Sequence, residues 1–501
     1  MTRTFHAGGP CRPDLHYVLP PERRINAALR LVASSAYFVV HGPHAMGKTS
    51  AMGMLAADIR AAGQHAALLV SVAPAAPFGD DVGAGEMAIL ESWRALAEAT
   101  LAPDLLPPPW PRATPGGRIA AALRGWSRAC RLPIVLFIDD VDTVGPAMLE
   151  ALMRQLRAGF GFRPRAFPAA VALLGLFDVR TEALDRPGTF TPLSTQAETV
   201  PVGPFDVSDV TELFEQHQRE TGQAFAPTAI KRAFELTCGQ PWVVNAVARE
   251  CVAIADRSRA VTPAEVERAA GILVERNETH VPSLYEQLLD ERVRRVLEPI
   301  LGAEPLPSLA PADVAHVESL GLVRVTDGHI AIANPIYADI VPTLLAQAMA
   351  RSKQPISMDG SLDGLRKAFL AFWKQEAERL MASAPYPEIA PQLAFLVFLQ
   401  LTMHGRSRIT YFYEAGGGRI DLRINTGEQQ FGIELKQWRD GGPHAVVEGL
   451  GQLDGFLNRN ELERGWLVVL DRRSEAPSLE ARLRADDART PSGRAIVVVH
   501  A

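Results

Sequence analysis

Cysteine is scarce in this chain, and its distribution argues against two kinds of protein. The 501 residues include 4 cysteines, with no Cys-x-x-Cys pair and no regular ladder of histidines beside them: Cys11, Cys130, Cys238 and Cys251. Scattered cysteines of this kind disfavour both a structural zinc site and a disulfide framework. The usage fits a reducing compartment, so we expect a cytoplasmic protein.

Long apolar runs, a leader and an excess of charge are also missing. The most apolar stretch, Ala394 to Met403, is well short of the ~20 residues that a membrane helix needs. The first residues, Met-Thr-Arg-Thr-Phe-His, lack the pattern of a signal peptide. The formal net charge of −6 gives no overall attraction to nucleic acid, although a local basic groove stays open. We therefore expect a soluble protein without a membrane partner.

The patterns that are present divide the chain into five segments and predict an α/β protein. Residues 1–203 alternate apolar strands with helices, which is typical of a parallel sheet. Residues 204–285 are helical in pattern and predict a helical lid. Residues 286–350 predict two helices and a hairpin, the order of a winged helix. A polar linker at 351–362 then leads to a final α/β domain at 363–501.

The most specific motif lies between the first strand candidate and a helix. Ala36 to His41 leads into Gly-Pro-His-Ala-Met-Gly-Lys-Thr, which satisfies G-x-x-x-x-G-K-[ST] in the strand-to-helix context that a P-loop requires. Backbone N–H groups of such a loop cradle phosphates, and the helix N-terminus adds a favourable field. We predict that ATP and Mg²⁺ bind here, at Gly42, Pro43, His44, Ala45, Met46, Gly47, Lys48, Thr49 and Ser50.

Individual roles follow from the chemistry of these side chains. Lys48 should reach the β- and γ-phosphates, and the Thr49 hydroxyl should bind magnesium. The apolar strand candidate Ile134 to Ile138 ends in Asp139-Asp140, and the carboxyl ends of parallel strands are where ligands bind. We therefore predict Asp139 as a magnesium ligand and Asp140 as the group that orients the attacking water.

Two weaker candidates complete the predicted nucleotide site. Arg180 follows the strand candidate Val171 to Leu176, and Pro241 belongs to a Gly-Gln-Pro turn in the helical segment. Either residue is suited to contact nucleotide. A surface salt bridge for Arg180 and an ordinary helix-terminating turn around Pro241 are equally good interpretations.

A second group of functional residues is predicted in the last segment. Ile420 to Ile424 and Phe431 to Lys436 both alternate apolar and polar residues, so a hairpin would bring Asp421, Glu434 and Lys436 to one face. Two carboxylates can hold a metal that activates water, and a lysine can stabilise the charged phosphate. The constellation predicts a Mg²⁺ nuclease centre, to which Glu388 and Gln452 could also belong. A charged, exposed hairpin face is the commoner meaning of one such match.

These motifs together resemble two known families. The P-loop, the acidic pair and the segment Thr237 to Asn245 with its Gly-x-Pro are similar to bacterial AAA-like ATPases of the signal-transduction (STAND) type. Gly418-Arg419-Ile420-Asp421 and Glu434-Leu435-Lys436 resemble the motifs of a PD-(D/E)XK nuclease domain, a restriction-endonuclease-like fold. The resemblance implies that Asp421, Glu434, Lys436 and Gln452 are catalytic and that Glu388 is a further metal ligand. Asp140 stands where many such ATPases carry Glu.

The implied function is an ATP-regulated, metal-dependent nuclease that acts on nucleic acid, with DNA favoured and a role in bacterial defence left open. Two alternatives remain. The chain could be a nucleotide-dependent switch or scaffold whose nuclease fold binds DNA without cutting. It could also be a transcriptional regulator, although residues 312–320 offer only His316 as a cationic side chain, and recognition helices usually present Arg or Lys. Assembly with copies of itself or with a partner protein stays open.

Overall fold

The computed structural model describes residues 2–176, 198–280, 284–301, 308–351, 353–356, 362–377, 390–402, 408–413, 420–425, 430–441 and 444–501. The chain divides into two compact units. The first contains Met1–Phe234 and Gly239–Glu265, and the second contains Glu235–Cys238 and Val266–Ala501. The division into five segments stays a prediction.

A five-stranded sheet with only parallel neighbours forms the centre of the first unit. Its strand order is β2-β3-β4-β1-β5. The strands are β1 Tyr37–His41, β2 Ala66–Ser71, β3 Ile134–Asp139, β4 Ala170–Gly175 and β5 Glu198–Pro201. The predicted parallel α/β architecture is confirmed. The strand candidates for β1, β3 and β4 agree with these bounds to within a residue, whereas β5 was not predicted.

Both faces of this sheet are covered, which explains the continuous apolar character of its strands. Val39 of β1 packs into one core with the tryptophans Trp93 and Trp126. Its neighbours Phe38 and Val40 point to the opposite face and pack into a second core. Alternate residues of the strand thus belong to two cores, so a polar residue introduced at Phe38, Val39 or Val40 would be buried.

The helices of the first unit include those that cover the sheet and those that follow β5 in sequence. They are α1 Pro21–Ala33, α2 Lys48–Ala61, α3 Val82–Thr100, α4 Arg118–Ala129, α5 Pro146–Gly159, α6 Val207–Thr221, α7 Pro227–Thr237, α8 Pro241–Ile254 and α9 Pro263–Glu275, the seventh and ninth extending into the second unit. Short 3₁₀ turns occupy Ala73–Phe78, Pro103–Leu105 and Phe160–Phe162. The helix α6 begins with a reciprocal capping box between Asp206 and Asp209, which satisfies two backbone donors at its N-terminus.

After α9, the second unit continues with helices and a hairpin. They are α10 Leu284–Gln287, α11 Glu291–Ile300, α12 Pro311–Ser319, β6 Val323–Thr326, β7 His329–Ile332 and α13 Pro335–Ala350. At the hairpin turn Asp327 and Gly328 both have positive φ, 50° and 79°, as a two-residue type I′ turn requires. Two helices followed by a hairpin are therefore present, and the winged-helix assignment stays a prediction.

A mixed six-stranded sheet follows, in the order β12-β13-β11-β10-β9-β8. Its strands are β8 Arg408–Tyr413, β9 Ile420–Asn425, β10 Gln430–Trp438, β11 Gly465–Asp471, β12 Arg484–Arg489 and β13 Ala495–His500. The accompanying helices are α14 Leu362–Phe372 (continued by a π-helical turn at Trp373–Ala377), α15 Ala390–Thr402, α16 Ala445–Arg459 and α17 Leu479–Arg482. The strand β10 is parallel to β11 and antiparallel to β9.

The apolar stretch singled out in the sequence lies in α15 from Ala394 to Thr402 and is part of this domain's core, and Met403 lies outside the described residues. Phe395 and Phe398 of that helix pack with Leu422 and Ile433 of the sheet. Across the described ranges, no helix has the length and apolarity needed to cross a membrane.

Candidate functional site

The segment from Gly42 to Thr49 folds as a tight loop between β1 and α2. A Cβ at Gly42 would lie 2.2 Å from the carbonyl oxygen of Val202, so only glycine fits there. Ala45 and Gly47 have left-handed backbone, with φ of 58° and 84°. Glycine adopts this conformation without steric cost, whereas Ala45 adopts it against the repulsion of its Cβ. The loop ends at the N-terminus of α2, where the first helical N–H groups have no partner within the helix. This end of the helix is suited to bind an anion.

Lys48 places its ammonium group within this loop. Nζ donates to the carbonyl oxygens of Gly42 at 2.7 Å and Pro43 at 2.9 Å. Burial lowers the pKa of Lys48, and the nearby carboxylates of Asp142, Asp139 and Asp140 oppose that shift. A partly desolvated ammonium group of this kind interacts more strongly with phosphate than one in water does.

Thr49 and Asp139 meet at the carboxyl end of β3. The Thr49 hydroxyl donates to Asp139 Oδ2 at 2.6 Å, and Asp139 is only 7% exposed. Burial raises the pKa of Asp139, as does the charge of Asp140, whereas the hydrogen bond from Thr49 lowers it. A hydroxyl and a carboxylate are hard oxygen ligands of the kind that Mg²⁺ prefers.

The described residues contain no cluster of three or more His, Cys, Asp or Glu side chains suited to a metal. A magnesium–nucleotide site does not need one, because the ion typically takes one or two protein ligands and completes its shell with phosphate oxygens and water. The pair formed by Thr49 and Asp139 therefore fits magnesium bound together with a nucleotide.

Asp140 is held in an unusual conformation next to this pair. Its φ is 61°, a region that few residues other than glycine and Asn or Asp occupy. Oδ2 accepts a hydrogen bond of 2.5 Å from Ser71 Oγ at the end of β2, and its N–H donates to Asp139 Oδ1 at 2.9 Å. Positive φ at a carboxylate beside a ligand site is typical of functional positions.

The Gly-Gln-Pro turn lies at the start of α8. Gly239 has φ of 70°, and its carbonyl accepts a 2.8 Å hydrogen bond from the N–H of Phe205. Pro241 is the buried first residue of α8. Arg180 lies outside the described residues, so its assignment to the nucleotide site stays a prediction, as does that of Pro241.

Three features of this site were not predicted. Ser71 supports Asp140, Asp142 acts electrostatically on Lys48, and Arg24 donates to the carbonyl of Met46. Asp142 was within reach of sequence reasoning, because it follows the acidic pair by two residues. Ser71 and Arg24 gave no local signal, since each meets its partner only after the sheet and its helices are assembled.

The second candidate site is centred on β10. Glu434 is fully buried, and the backbone register places Asp421 of β9 directly opposite it. Directly opposite positions of an antiparallel pair share a face, as do Glu434 and Lys436, which are two residues apart. The antiparallel pairing that the predicted hairpin requires is confirmed, and residues 426–429 lie outside the described part of the structure. The side chain of Asp421 and all of Glu388 lie outside the described part of the structure.

Lys436 is held by two side chains of α16. Its Nζ lies 2.7 Å from Glu448 Oε1 and donates to Gln452 Oε1 at 2.8 Å. The amide of Gln452 in turn donates to Glu448 at 3.2 Å. Gln452 is therefore next to the lysine, and its catalytic role stays a prediction. Glu448 was missed, although it lies four residues before Gln452, the spacing that brings two side chains to one helix face.

Comparison with solved structures finds several proteins to which part of this chain is similar. A Walker-type ATPase of Pyrococcus abyssi is 16% identical with a TM-score of 0.46, over 68% of this chain and 99% of that one. The ORC2 protein of Aeropyrum pernix is 12% identical with a TM-score of 0.42, over 64% and 92%. The RuvB Holliday junction branch migration motor of Thermotoga maritima is 14% identical with a TM-score of 0.34, over 61% and 89%. No protein-family model and no curated protein sequence matches the chain.

Proposed function

We propose that this chain binds ATP with magnesium at the loop Gly42 to Thr49 and hydrolyses it. The observation that carries the proposal is the convergence of three groups at one sheet edge. The Lys48 ammonium lies inside the loop, and the Thr49 hydroxyl bonds the buried carboxylate of Asp139. These are an anion donor and a pair of hard oxygen ligands, which together suit the phosphates of a nucleotide and their counter-ion.

Each group has a distinct part in the proposed reaction. Backbone N–H groups of the loop and the Lys48 ammonium bind the phosphates. Thr49 and Asp139 would hold magnesium, which supplies charge neutralisation at the β- and γ-oxygens. Asp140 orients the attacking water, and the hydroxyl of Ser71 fixes the direction of that carboxylate.

Substitution of Lys48 tests this proposal. We expect Lys48→Ala to lose tight binding of Mg-ATP and with it ATP hydrolysis, because an ammonium group that contacts phosphate is removed. Isothermal titration calorimetry and a phosphate-release assay measure the two effects. Lys231→Ala, which removes an exposed lysine of α7, is the matched control and should behave as wild type. Unchanged affinity in Lys48→Ala would remove the loop from the nucleotide site.

We further propose that the last domain is a metal-dependent nuclease of the PD-(D/E)XK type that acts on DNA and is regulated by the ATPase. Support comes from the register of Asp421 opposite Glu434, and from the network that holds Lys436 on Gln452 and Glu448. Asp421 and Glu434 would hold the metal, and a metal bound there would supply a lowered pKa to its water ligand. Lys436 stabilises the negative charge of the phosphate in the transition state. The hairpin at Val323 to Ile332 would belong to a winged helix.

A cutting assay separates this proposal from the scaffold alternative. Purified protein is incubated with supercoiled plasmid and with single-stranded DNA in Mg²⁺ or Mn²⁺, beside Glu434→Gln. The amide keeps the shape of the buried side chain and removes its charge, so we expect a loss of cutting of at least about a hundredfold. Glu480→Gln, on the exposed side of α17, controls for loss of a carboxylate. Binding of DNA without cutting by the wild type would favour the scaffold.

A further inference from the structure

Arg24 connects the phosphate loop with the segment that leads into α6. It lies in the first turn of α1, and its side chain is 9% exposed. Its Nη2 donates to the carbonyl oxygens of Met46 at 3.2 Å and Gly203 at 2.6 Å, and its Nη1 donates to that of Pro204 at 3.4 Å. Val202 to Asp206, which we name the connector, joins β5 to α6. One buried guanidinium group thus holds the loop and the connector together.

The bond to Met46 bears directly on phosphate binding. The carbonyl of Met46 and the N–H of Gly47 belong to the same peptide group, which is planar and trans, so the two point in opposite directions. Fixing the carbonyl on Arg24 therefore fixes the direction in which the Gly47 N–H points, away from Arg24. Gly47 has φ of 84° and an added Cβ would meet no atom within 4 Å. The carbonyl of Gly47 accepts a hydrogen bond from the N–H of Ala51 in α2 at 2.9 Å, whereas the peptide group that precedes Gly47 is the one held by Arg24.

The same guanidinium group also contacts the start of the helical segment. Its carbon lies 4.7 Å from the ring centre of Phe205, and Nη1 lies 3.6 Å from Asp209 Oδ2 on α6. The N–H of Phe205 donates to the carbonyl of Gly239, in the turn before α8. Arg24 therefore contacts the connector, α6 and the loop at once. Only the planar fork of arginine offers donors in so many directions.

We propose that Arg24 is a positioning residue for the nucleotide phosphates: it orients the Gly47 N–H toward them and makes this orientation depend on the connector. The inference rests on the proposed binding of ATP. The ligand recognised is the di- or triphosphate group of a nucleotide. Displacement of the connector would move Arg24 and, through the carbonyl of Met46, weaken the binding of these phosphates.

Arg23 supplies a control that matches Arg24 in charge and location. Its Nε lies 3.0 Å from Asp209 Oδ1, and its Nη2 donates to Ser208 Oγ at 2.7 Å. Both partners lie on α6. Arg23→Gln and Arg24→Gln therefore remove the same charge from the same helix turn, and each removes one of the two ion pairs of Asp209. Only the second removes the bond to the loop.

Calorimetric titration with Mg-ADP tests the proposal, because it reports the dissociation constant and the stoichiometry separately. We expect Arg24→Gln to raise the dissociation constant about tenfold to a hundredfold at unchanged stoichiometry, the range for losing a charge-assisted hydrogen bond. Arg23→Gln should stay within about twofold of wild type, because the side-chain contacts of Arg23 with Ser208 and Asp209 do not reach the loop. Arg24→Lys keeps the charge but not the fork, so its affinity should also fall.

The outcomes are distinguishable. A merely structural role would lower the stoichiometry in Arg24→Gln, as protein is lost to unfolding, and leave the dissociation constant unchanged; that result overturns the proposal. Equal weakening in Arg23→Gln overturns it as well, because charge alone would then suffice. If Arg24→Gln does not fold, Arg24→Lys carries the test, and wild-type affinity in that variant contradicts the account. A wild-type protein that binds no ADP instead refutes the proposed ATP site.

Discussion

At the scale of single residues, the first unit depends on glycines where two stretches of backbone come very close. A Cβ at Gly239 would lie 2.0 Å from the carbonyl oxygen of Phe205, far inside contact distance. Gly222, which ends α6, has a similar φ of 79° but open space around its Cβ position. The two glycines thus share a backbone conformation and differ in their surroundings.

This difference predicts unequal costs for the same substitution. Gly222→Ala should lower the free energy of unfolding by about 1–2 kcal/mol, which is the cost of left-handed backbone for a residue with a Cβ. Gly239→Ala should lower the free energy of unfolding by more than that, because the turn before α8 must also move away from Phe205. Thermal unfolding followed by circular dichroism measures both variants. Equal melting temperatures would show that the contact between the turn and the connector is not maintained in solution.

The same scale shows which site residues sequence reasoning can find. Lys48 and Thr49 belong to one contiguous motif, and Asp139 ends a strand whose apolar run marks it. Ser71 and Arg24 meet their partners across long sequence separations, Ser71 with Asp140 and Arg24 with Met46 and Gly203. Serine and arginine at such positions are ordinary surface residues in sequence terms, so nothing local distinguishes them.

At the scale of elements, β1, β3 and β4 of the first sheet were predictable because almost all of their residues are buried, whereas the short and partly exposed β5 was not predicted. Ile134–Asp139 consists of buried residues throughout, and such a run is readable without knowledge of its neighbours. The order β2-β3-β4-β1-β5 was not predicted, since it depends on how crossover helices pack and not on any single strand. Parallel pairing brings Ser71 of β2 beside Asp139 of β3, and this creates the support for Asp140.

The strand pair β9 and β10 in the second unit shows the same limit of sequence-based prediction. Alternation in β9 and β10 predicted that Asp421 and Glu434 would share a face, and the register places them opposite each other. The contacts of Lys436 depend instead on α16, which follows β10 and packs against it. Glu448 is 12 residues from Lys436 in sequence, yet their charged atoms are 2.7 Å apart. To predict a partner on another element, one needs the angle at which the two elements pack, and sequence periodicity does not give that angle.

At the scale of the whole molecule, each unit has its own cores and its own candidate site. The first unit packs two cores on the faces of its parallel sheet, and the second packs two around its mixed sheet. The P-loop belongs to the first, and the Glu434–Lys436 pair belongs to the second. Regulation of one by the other is therefore a coupling between distinct sites, which must be measured as a change in rate or affinity.

The rate of DNA cutting in different nucleotide states tests this central claim most directly. Wild type and Lys48→Ala are incubated with plasmid and single-stranded DNA in Mg²⁺, without nucleotide, with ADP and with ATP. We expect ATP to change the wild-type rate by at least about fivefold, the low end of typical allosteric coupling, and to leave Lys48→Ala unaffected. Cutting that requires Glu434 but proceeds at one rate in all three nucleotide states would contradict the claim that the ATPase controls the nuclease.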